Sequence, residues 1–241
     1  MVSRIALVTG GTRGIGRGCS LALKAAGYRV AANYGANDEK AKAFADESEL
    51  PVYKWDVGNL EACEKGIAQV ESDLGPIEIL INNAAISPDR FMHKMPPETW
   101  RATIDTNLHS CFNMCHTIVP GMRKRKWGRI VFISSVNAHR GAIGETHYDA
   151  SKAGMIGFAK ALAHESGALG ITVNAVAPGL IDTDMVASAP QEWRDDKVKA
   201  TPMGRIGQPE DVANCVVFLV SEASDFITGA TIDVNGGVHM R

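Results

Sequence analysis

A tyrosine and a lysine four residues apart are the pair best suited to chemistry in this sequence. Tyr148 and Lys152 lie in a segment with helical periodicity, so this spacing places both side chains on one face. A free phenol has a pKa of about 10, but a nearby ammonium favours the phenolate and lowers that pKa. The pair therefore predicts a tyrosine that gives a proton to a carbonyl oxygen as a hydride reaches the carbon.

The pair gains meaning from its neighbours, because the same spacing occurs by chance in many helices. Ser134 and Ser135 end an apolar run upstream, and Asn107 lies within the segment Asp105-Thr106-Asn107-Leu108. Taken alone, Asn107 would equally suit a residue that bends or caps a helix. The presence of all these residues in order argues against coincidence.

A glycine-rich turn near the start of the chain is the second candidate site. Residues 9–16 read Thr-Gly-Gly-Thr-Arg-Gly-Ile-Gly and lie between the first apolar run and the first helical segment. Any tight turn favours glycine, but a turn that opens a helix also offers free N–H groups and the positive end of the helix dipole. Its position therefore predicts a phosphate-binding loop.

Alternating strands and helices must position these residues. Runs rich in valine, isoleucine and leucine predict strands at Ile5–Val8, Arg29–Ala32, Pro51–Trp55, Ile77–Ile81, Arg129–Ile133, Ile171–Ala175 and Thr231–Val234. Helical segments separate them, including one long helix over Pro97–Arg125 and one near Tyr148–Ala168. The pattern predicts an α/β fold, a single doubly wound Rossmann-type domain over residues 1–241 with a parallel sheet flanked by helices on both faces. Ligands of such sheets bind at the carboxyl ends of the strands.

Composition narrows the classes of function. The chain has 241 residues, 45% hydrophobic and 22% charged, with a net charge of -2, which disfavours an overall basic nucleic-acid binder. No apolar stretch is long enough to span a membrane and the start lacks a signal-peptide pattern, so we expect a cytoplasmic protein without a membrane partner. Five scattered cysteines form no disulfide pattern. Cys111, Cys115 and His116 offer too few ligands on one helix face, so no metal is expected.

The spacing Thr-Gly-x-x-x-Gly-x-Gly resembles the short-chain dehydrogenase/reductase family, and other landmarks extend the resemblance along almost the whole chain. It implies that Tyr148 donates a proton, Lys152 also holds the nicotinamide ribose and Ser135 hydrogen-bonds the substrate oxygen. Asn107 matches the asparagine that supports a water-mediated proton path to the lysine. Ala85 stands where the family usually has glycine. The residues implied to contact the cofactor are Gly10, Thr12, Arg13, Gly14, Ile15, Gly16, Asn33, Asp56, Val57, Asn83, Ala84, Tyr148, Lys152, Pro178, Gly179, Ile181 and Thr183.

The charges near the second strand favour NADPH (or NADP+) as the cofactor. NAD-specific sites usually carry an acidic residue after this strand, whereas here the strand is followed by Asn33 and a tyrosine. The guanidinium of Arg13, inside the glycine turn, could pair with a 2′-phosphate. Arg13 could also be a solvated loop residue, and Asp38 and Glu39 nearby leave NADH possible.

Within the family the chain looks most like 3-oxoacyl-thioester reductases, which act on acyl-carrier-protein or coenzyme A thioesters. The supporting stretches are Ser87-Pro88-Asp89-Arg90, Ile104-Asp105-Thr106-Asn107, Ser134-Ser135-Val136-Asn137 and the ending Asn235-Gly236-Gly237-Val238-His239-Met240. Two departures leave alternatives open: Leu169 replaces a usual basic residue, and Ala142, Ile143 and Glu145 replace glutamines and an aromatic. A reductase of small ketones, diketones or sugar-like alcohols is the alternative, and a non-catalytic cofactor-sensing protein is the third hypothesis.

The expected substrate contacts are Ile143, Glu145, Leu180 and Met185. Residues 182–209 contain three prolines and little regular pattern, which predicts a substrate lid or else a surface helix. The basic run Arg123-Lys124-Arg125-Lys126 could attract acyl carrier protein or coenzyme A phosphates, or complement a helix dipole. The resemblance also implies a homotetramer built through Thr99–Arg125, the Tyr148 helix and the C-terminal segment.

Overall fold

A computed structural model of the protein describes residues 4–183, 186 and 190–240. Met185, an expected substrate contact, lies outside the described residues. Seven strands form one sheet of entirely parallel neighbours in the order β3-β2-β1-β4-β5-β6-β7. The strands are β1 Ile5–Val8, β2 Arg29–Tyr34, β3 Val52–Lys54, β4 Ile77–Asn82, β5 Gly128–Ile133, β6 Ile171–Pro178 and β7 Thr231–Val234.

Helices connect the strands along the chain. They are α1 Gly14–Ala25, α2 Asp38–Ser48, α3 Leu60–Leu74, α4 Pro97–Ile104, α5 Ser110–Arg125, α6 Asn137–Arg140, α7 Thr146–Ser166, α8 Gln191–Ala200 and α9 Pro209–Val220. One apolar cluster joins side chains of α3, α5 and α7 to one face of the sheet. A second cluster joins α1, α2 and α9 to the other face. The predicted doubly wound α/β fold is confirmed.

Burial on both faces explains why the strands were readable in the sequence. Every residue of β1, β5 and β6 is buried, so these strands are mostly apolar and have no solvent-facing polar side, although Arg129, Thr172 and Asn174 are buried within them. The strand order reverses between β1 and β4, where connections leave towards opposite sides. A crevice forms at the carboxyl ends of the strands at such a reversal.

The predicted long helix over Pro97–Arg125 is wrong in one respect. A single turn of π-helix, Asp105–His109, separates α4 from α5. Asn107 lies in this turn and is fully buried. Because a π turn accommodates an extra residue, it redirects side chains relative to a regular helix, and such turns are frequent at functional sites.

Residues 182–209, for which the sequence left a lid and a surface helix open, contain the regular helix α8. α8 has no buried residue, and Trp193 is exposed. This segment fits the surface-helix alternative, and its role as a lid stays a prediction. Within the described part of the chain, no helix is both long and apolar enough to cross a bilayer.

Candidate active site

Two adjoining clefts lie at the carboxyl edge of the sheet. The larger has a volume of about 450 Å³ and extends from the glycine turn to the ends of β2 and β3. The smaller has a volume of about 250 Å³ and lies between the ends of β5 and β6 and the start of α7. Ala85 and Ile86 line both, so the clefts share a wall.

The glycine turn leaves a cradle that no side chain could enter. A Cβ atom on Gly16 would lie 2.1 Å from the carbonyl oxygen of Gly10, so only glycine fits there. Gly14 adopts a left-handed φ of 52°, which glycine tolerates without strain. Helix α1 begins at this residue, so its free N–H groups face the turn. A backbone cradle at a helix N-terminus fits the pyrophosphate of a dinucleotide.

Hydrogen bonds from neighbouring strands hold the turn in place. The hydroxyl of Thr9 accepts hydrogen bonds from the backbone N–H groups of Asn83 (2.9 Å) and Ala84 (3.1 Å). The side chain of Asn83 donates to the carbonyl oxygens of Thr9 (2.9 Å) and Gly10 (3.2 Å). Asn33 is buried and donates to the carbonyl of Trp55 at 3.1 Å. Asn33 and Asn83 therefore shape the walls of the site.

Nearly all of the expected cofactor residues line one cleft or the other. The larger cleft is lined by Gly10, Thr12, Arg13, Asn33, Asp56, Val57 and Ala84. The smaller cleft is lined by Ile15, Asn83, Tyr148, Lys152, Pro178, Gly179, Ile181 and Thr183. Gly14 and Gly16 line neither and act through the shape of the turn, and a Cβ on Gly14 would lie 3.3 Å from the methyl group of Thr183.

Lys40 is a wall residue that the sequence reasoning missed. It lies in the first turn of α2 and lines the larger cleft with Arg13. Asn37 caps this helix by accepting a hydrogen bond from the backbone N–H of Lys40 at 2.9 Å. Asp38 does not line the cleft, because its carboxylate pairs with the ammonium of Lys54 at 2.8 Å. The signal available in the sequence was an asparagine, Asn37, followed three residues later by Lys40, because an asparagine that caps a helix places the third residue after it in the first turn.

Ser135, Tyr148 and Lys152 meet in the smaller cleft. The hydroxyl of Ser135 lies in the same cleft as the phenol of Tyr148, where it acts to lower the pKa of that phenol, and it accepts a bond from the backbone N–H of Asn137 at 3.1 Å. Lys152 is buried, and its ammonium donates to the carbonyl of Ile133 at 2.7 Å. The hydroxyl of Ser134 donates to the carbonyl of Lys152 at 2.8 Å, which ties α7 to the end of β5.

The expected lowering of the tyrosine pKa by the chain's own groups is wrong. Burial raises the pKa of Tyr148 to about 12, and the negative charges of Glu145 and Asp149 add to this, while the bond from Ser135 opposes it. Burial also lowers the pKa of the Lys152 ammonium to about 8. The loss of solvent is the largest cause of the pKa shift at both groups, and helical spacing alone could not reveal this.

Asn107 is placed to hold the shared wall. Its side-chain oxygen accepts from the backbone N–H of Ile86 at 2.8 Å, and its amide donates to the carbonyl of Ile86 at 3.0 Å. The same amide donates to the hydroxyl of Ser151 at 3.1 Å. These bonds occupy the side chain, so its action on Lys152 through a water-mediated path stays a prediction.

The expected substrate residues separate into two groups. Glu145 and Leu180 line the smaller cleft. Ile143 does not line it, because its side chain is 87% exposed outside the cleft. Ser87 and Val186 also line the cleft and were missed, and the Ser87 hydroxyl is buried without a hydrogen-bond partner among the described residues. In the sequence analysis Ser87 was named only as part of a stretch that resembles 3-oxoacyl-thioester reductases, and not as a residue of the site.

The basic run at the end of α5 is partly occupied by backbone contacts. The guanidinium of Arg123 donates to the carbonyl of Glu165 at 2.9 Å, and that of Arg125 donates to the carbonyl of Ile77 at 2.6 Å. These two side chains therefore act within the fold. The described residues contain no group of three or more metal-ligating side chains.

Comparison with known proteins agrees with this geometry. The family model described as Enoyl-(Acyl carrier protein) reductase matches residues 10–239. An acetoacetyl-CoA reductase of Rhizobium meliloti (strain 1021) is 56% identical over 98% of both chains, and one from Shinella zoogloeoides is 54% identical over the same shares. A 3-oxoacyl-(acyl-carrier-protein) reductase FabG of Staphylococcus aureus (strain Mu50 / ATCC 700699) is 40% identical over 99% of both chains. The chain belongs to the short-chain dehydrogenase/reductase family of oxidoreductases.

Proposed function

We propose that the protein reduces a 3-oxoacyl thioester to the 3-hydroxyacyl thioester with NADPH, and that Tyr148 gives the proton. The observation that supports this most directly is the Ser135–Tyr148 pair in a cleft that shares a wall with the glycine cradle. A dinucleotide in the larger cleft reaches the smaller one across Ala85 and Ile86. The acetoacetyl-CoA reductases above support acetoacetyl-CoA as the substrate.

The chain's groups suit a carbonyl placed between the two hydroxyls. A bound reduced nicotinamide supplies the hydride for this chemistry. The hydroxyl of Ser135 orients the carbonyl oxygen and donates to the negative charge that develops on it. Tyr148, which burial keeps protonated, transfers its proton to that oxygen, so the C=O group becomes CH–OH and a phenolate is left. Lys152, one helical turn away and with a pKa of about 8, is an acid suited to return the proton.

The larger cleft favours the phosphorylated cofactor. Arg13 and Lys40 bring two positive charges to its walls, and the nearby carboxylate of Asp38 is turned towards Lys54. A 2′-phosphate would form charge-assisted hydrogen bonds to these two side chains. A ribose hydroxyl would lack the acceptor that NAD sites usually provide.

The apolar groove between α5 and α7 supports assembly into a homotetramer. Phe112, Val119, Phe158 and Leu162 line this groove, which has a volume of about 380 Å³. Phe112 is 49% exposed and stacks on His116 with 5.2 Å between ring centroids. Apolar side chains collected at one place on a surface mark an interaction site.

A reductase of small polar ketones is the alternative that one observation favours. The carboxyl group of Glu145 lines the smaller cleft and would hydrogen-bond a hydroxyl on a substrate. A non-catalytic cofactor sensor is disfavoured, because the serine, tyrosine and lysine are all present and grouped.

A substrate panel tests the proposal. Initial rates are measured with acetoacetyl-CoA, a 3-oxoacyl carrier protein, diacetyl and a small ketone, each with NADPH and with NADH. We expect kcat/KM for a thioester to exceed that for any free ketone by about 100-fold or more, because the remote part of the thioester contributes binding energy. Better turnover of a free ketone than of any thioester would reject the substrate class, and a preference for NADH would reject the cofactor.

A further inference from the structure

Glu145 lies at the N-cap position of α7 and lines the cleft that holds Ser135 and Tyr148. Its side chain makes no capping bond to the helix and accepts a hydrogen bond from the side-chain amide of Asn137 at 2.9 Å. Burial raises the pKa of this carboxyl, and the bond from Asn137 opposes that rise. The charged or titratable groups that act on it are Asp149 and His147 from α7 and Asp89 from the loop after β4.

Asn137 connects this carboxylate to Ser135, which lines the same cleft as the tyrosine. The side-chain oxygen of Asn137 accepts from Arg140 at 3.1 Å while its amide donates to Glu145, so the asparagine is held from both sides. Its backbone N–H then donates to the hydroxyl of Ser135 at 3.1 Å. That bond occupies one lone pair of the hydroxyl and leaves its hydrogen free to serve the cleft that Ser135 and Tyr148 both line.

The charge of Glu145 acts on the same phenol directly. Burial is the largest cause of the raised pKa of Tyr148, and among the charged neighbours Glu145 contributes more than Asp149. A negative charge beside a phenol disfavours the phenolate. The charge of Glu145 therefore acts on the phenol of Tyr148, and its hydrogen bond to Asn137 acts on the position of Ser135.

We propose that Glu145 is a positioning residue that keeps Tyr148 protonated and Ser135 oriented, and thereby extends proton donation to a carbonyl into the alkaline pH range. The inference rests on the proposed role of Tyr148 as the proton donor. It assigns to Glu145 a function other than contact with the substrate.

Two substitutions separate the charge from the positioning. Glu145→Gln keeps an acceptor for the amide of Asn137 and removes the charge. Asn137→Ala keeps the charge and the backbone N–H that bonds Ser135, and removes the side-chain bond that links this residue to Glu145. We expect the alkaline limb of the kcat/KM profile for reduction to move to lower pH by about 1 unit in Glu145→Gln. In Asn137→Ala we expect the maximal kcat/KM to be lower and the pH of the alkaline limb to be the same as in wild type.

Ultraviolet difference titration of the phenol gives a readout that does not depend on turnover. The spectrum of Tyr148→Phe is subtracted to isolate Tyr148, with the protein alone and with NADP+ bound, and near-ultraviolet circular dichroism verifies the fold. At a fixed alkaline pH below the midpoint, Glu145→Gln is expected to show about 10-fold more phenolate than wild type, as a shift of 1 unit requires. Glu61→Gln, the same change on the exposed face of α3, is the matched control and is expected to match wild type.

Equal phenolate fractions in wild type and Glu145→Gln would overturn the inference, and so would an equal shift in Glu61→Gln. A failure of the proposed function is distinct. If Tyr148→Phe kept the wild-type rate, Tyr148 would not be the proton donor, whatever the titration of its phenol showed.

Discussion

The ammonium nitrogen of Lys152 lies 5.5 Å from the centroid of the Tyr148 ring and donates its hydrogen bond to the carbonyl of Ile133. The lysine is only 2% exposed. It lines the smaller cleft at the expense of its own solvation, because one carbonyl replaces several waters. Burial of this ammonium therefore lowers the free energy of unfolding by an amount that can be measured.

The first prediction concerns stability. Burial lowers the pKa of Lys152 from 10.5 to about 8, so the unfolded chain binds more protons than the folded one between these values. The free energy of unfolding contributed by this group is lowest below pH 8 and rises with pH through the window, by about 3 kcal/mol in all. Lys152→Met has no charge to bury at this position, so its free energy of unfolding lacks this pH-dependent contribution. We expect the stability of the variant relative to wild type to be greatest at pH 7 and to fall by about 3 kcal/mol as the pH approaches 10.5.

Urea unfolding of both proteins at each pH, without cofactor, measures this difference. The unpaired carbonyl of Ile133 in the variant lowers its stability equally at all pH values, so it does not affect the trend. Lys160→Met, an exposed change on the same helix, provides the control. A difference between wild type and Lys152→Met that is independent of pH would contradict the prediction.

Ser135, Tyr148 and Lys152 show which properties of the site could be predicted from the sequence and which could not. Side-chain identity and spacing were sufficient to group Ser135, Tyr148 and Lys152, because the ends of buried parallel strands converge at one edge. The direction of the tyrosine pKa was not predictable in this way. It depends on how much solvent the fold removes from each group, and that is a property of tertiary packing.

The fold likewise has features that the sequence could predict and features that depend on tertiary packing. Strands that are buried on both faces were recognised directly, whereas the π turn at Asp105–His109 left no mark on the periodicity. The turn is recognisable through its tertiary contacts, the bonds of Asn107 to Ile86 and Ser151. Ile143 was predicted to contact the substrate but lies outside the cleft, because an apolar residue near a site can face either the cleft or the solvent.

The second prediction concerns the proton donor. Tyr148→Phe removes one hydroxyl from the Ser135–Tyr148 pair and leaves the glycine cradle unchanged. We expect kcat to fall by about 10²–10⁴-fold with little change in the dissociation constant of NADPH. Steady-state kinetics and fluorescence titration of NADPH measure the two quantities. Tyr53→Phe, which removes a phenol hydroxyl that bonds Asp73 at 3.1 Å outside both clefts, is the control, and a Tyr148→Phe rate close to wild type would refute the assignment.

The third prediction concerns the choice of cofactor. Arg13→Ala and Lys40→Ala each remove a positive charge from the wall of the larger cleft. Because a charge-assisted hydrogen bond is lost, we expect the dissociation constant of NADPH to rise about 10-fold in each variant. The value for NADH should change little, since NADH lacks the 2′-phosphate. Arg17→Ala is the control, because Arg17 pairs with Glu47 at 2.6 Å outside the cleft. Equal weakening of NADPH and NADH would show that these cations do not select the phosphate.

The fourth prediction concerns assembly. Phe112→Glu places a carboxylate in the apolar groove between α5 and α7, where Phe158 and Leu162 form the opposite wall. If a second copy covers this groove, the charge would be buried without a partner, at a cost of several kcal/mol per interface. We therefore expect the homotetramer to dissociate into smaller species in sedimentation velocity at micromolar concentration. Phe226→Glu is the matched control, because Phe226 is fully exposed at a different place on the surface. An unchanged sedimentation coefficient in Phe112→Glu, or a wild-type protein that sediments as a monomer, would show that this groove does not join copies of the chain.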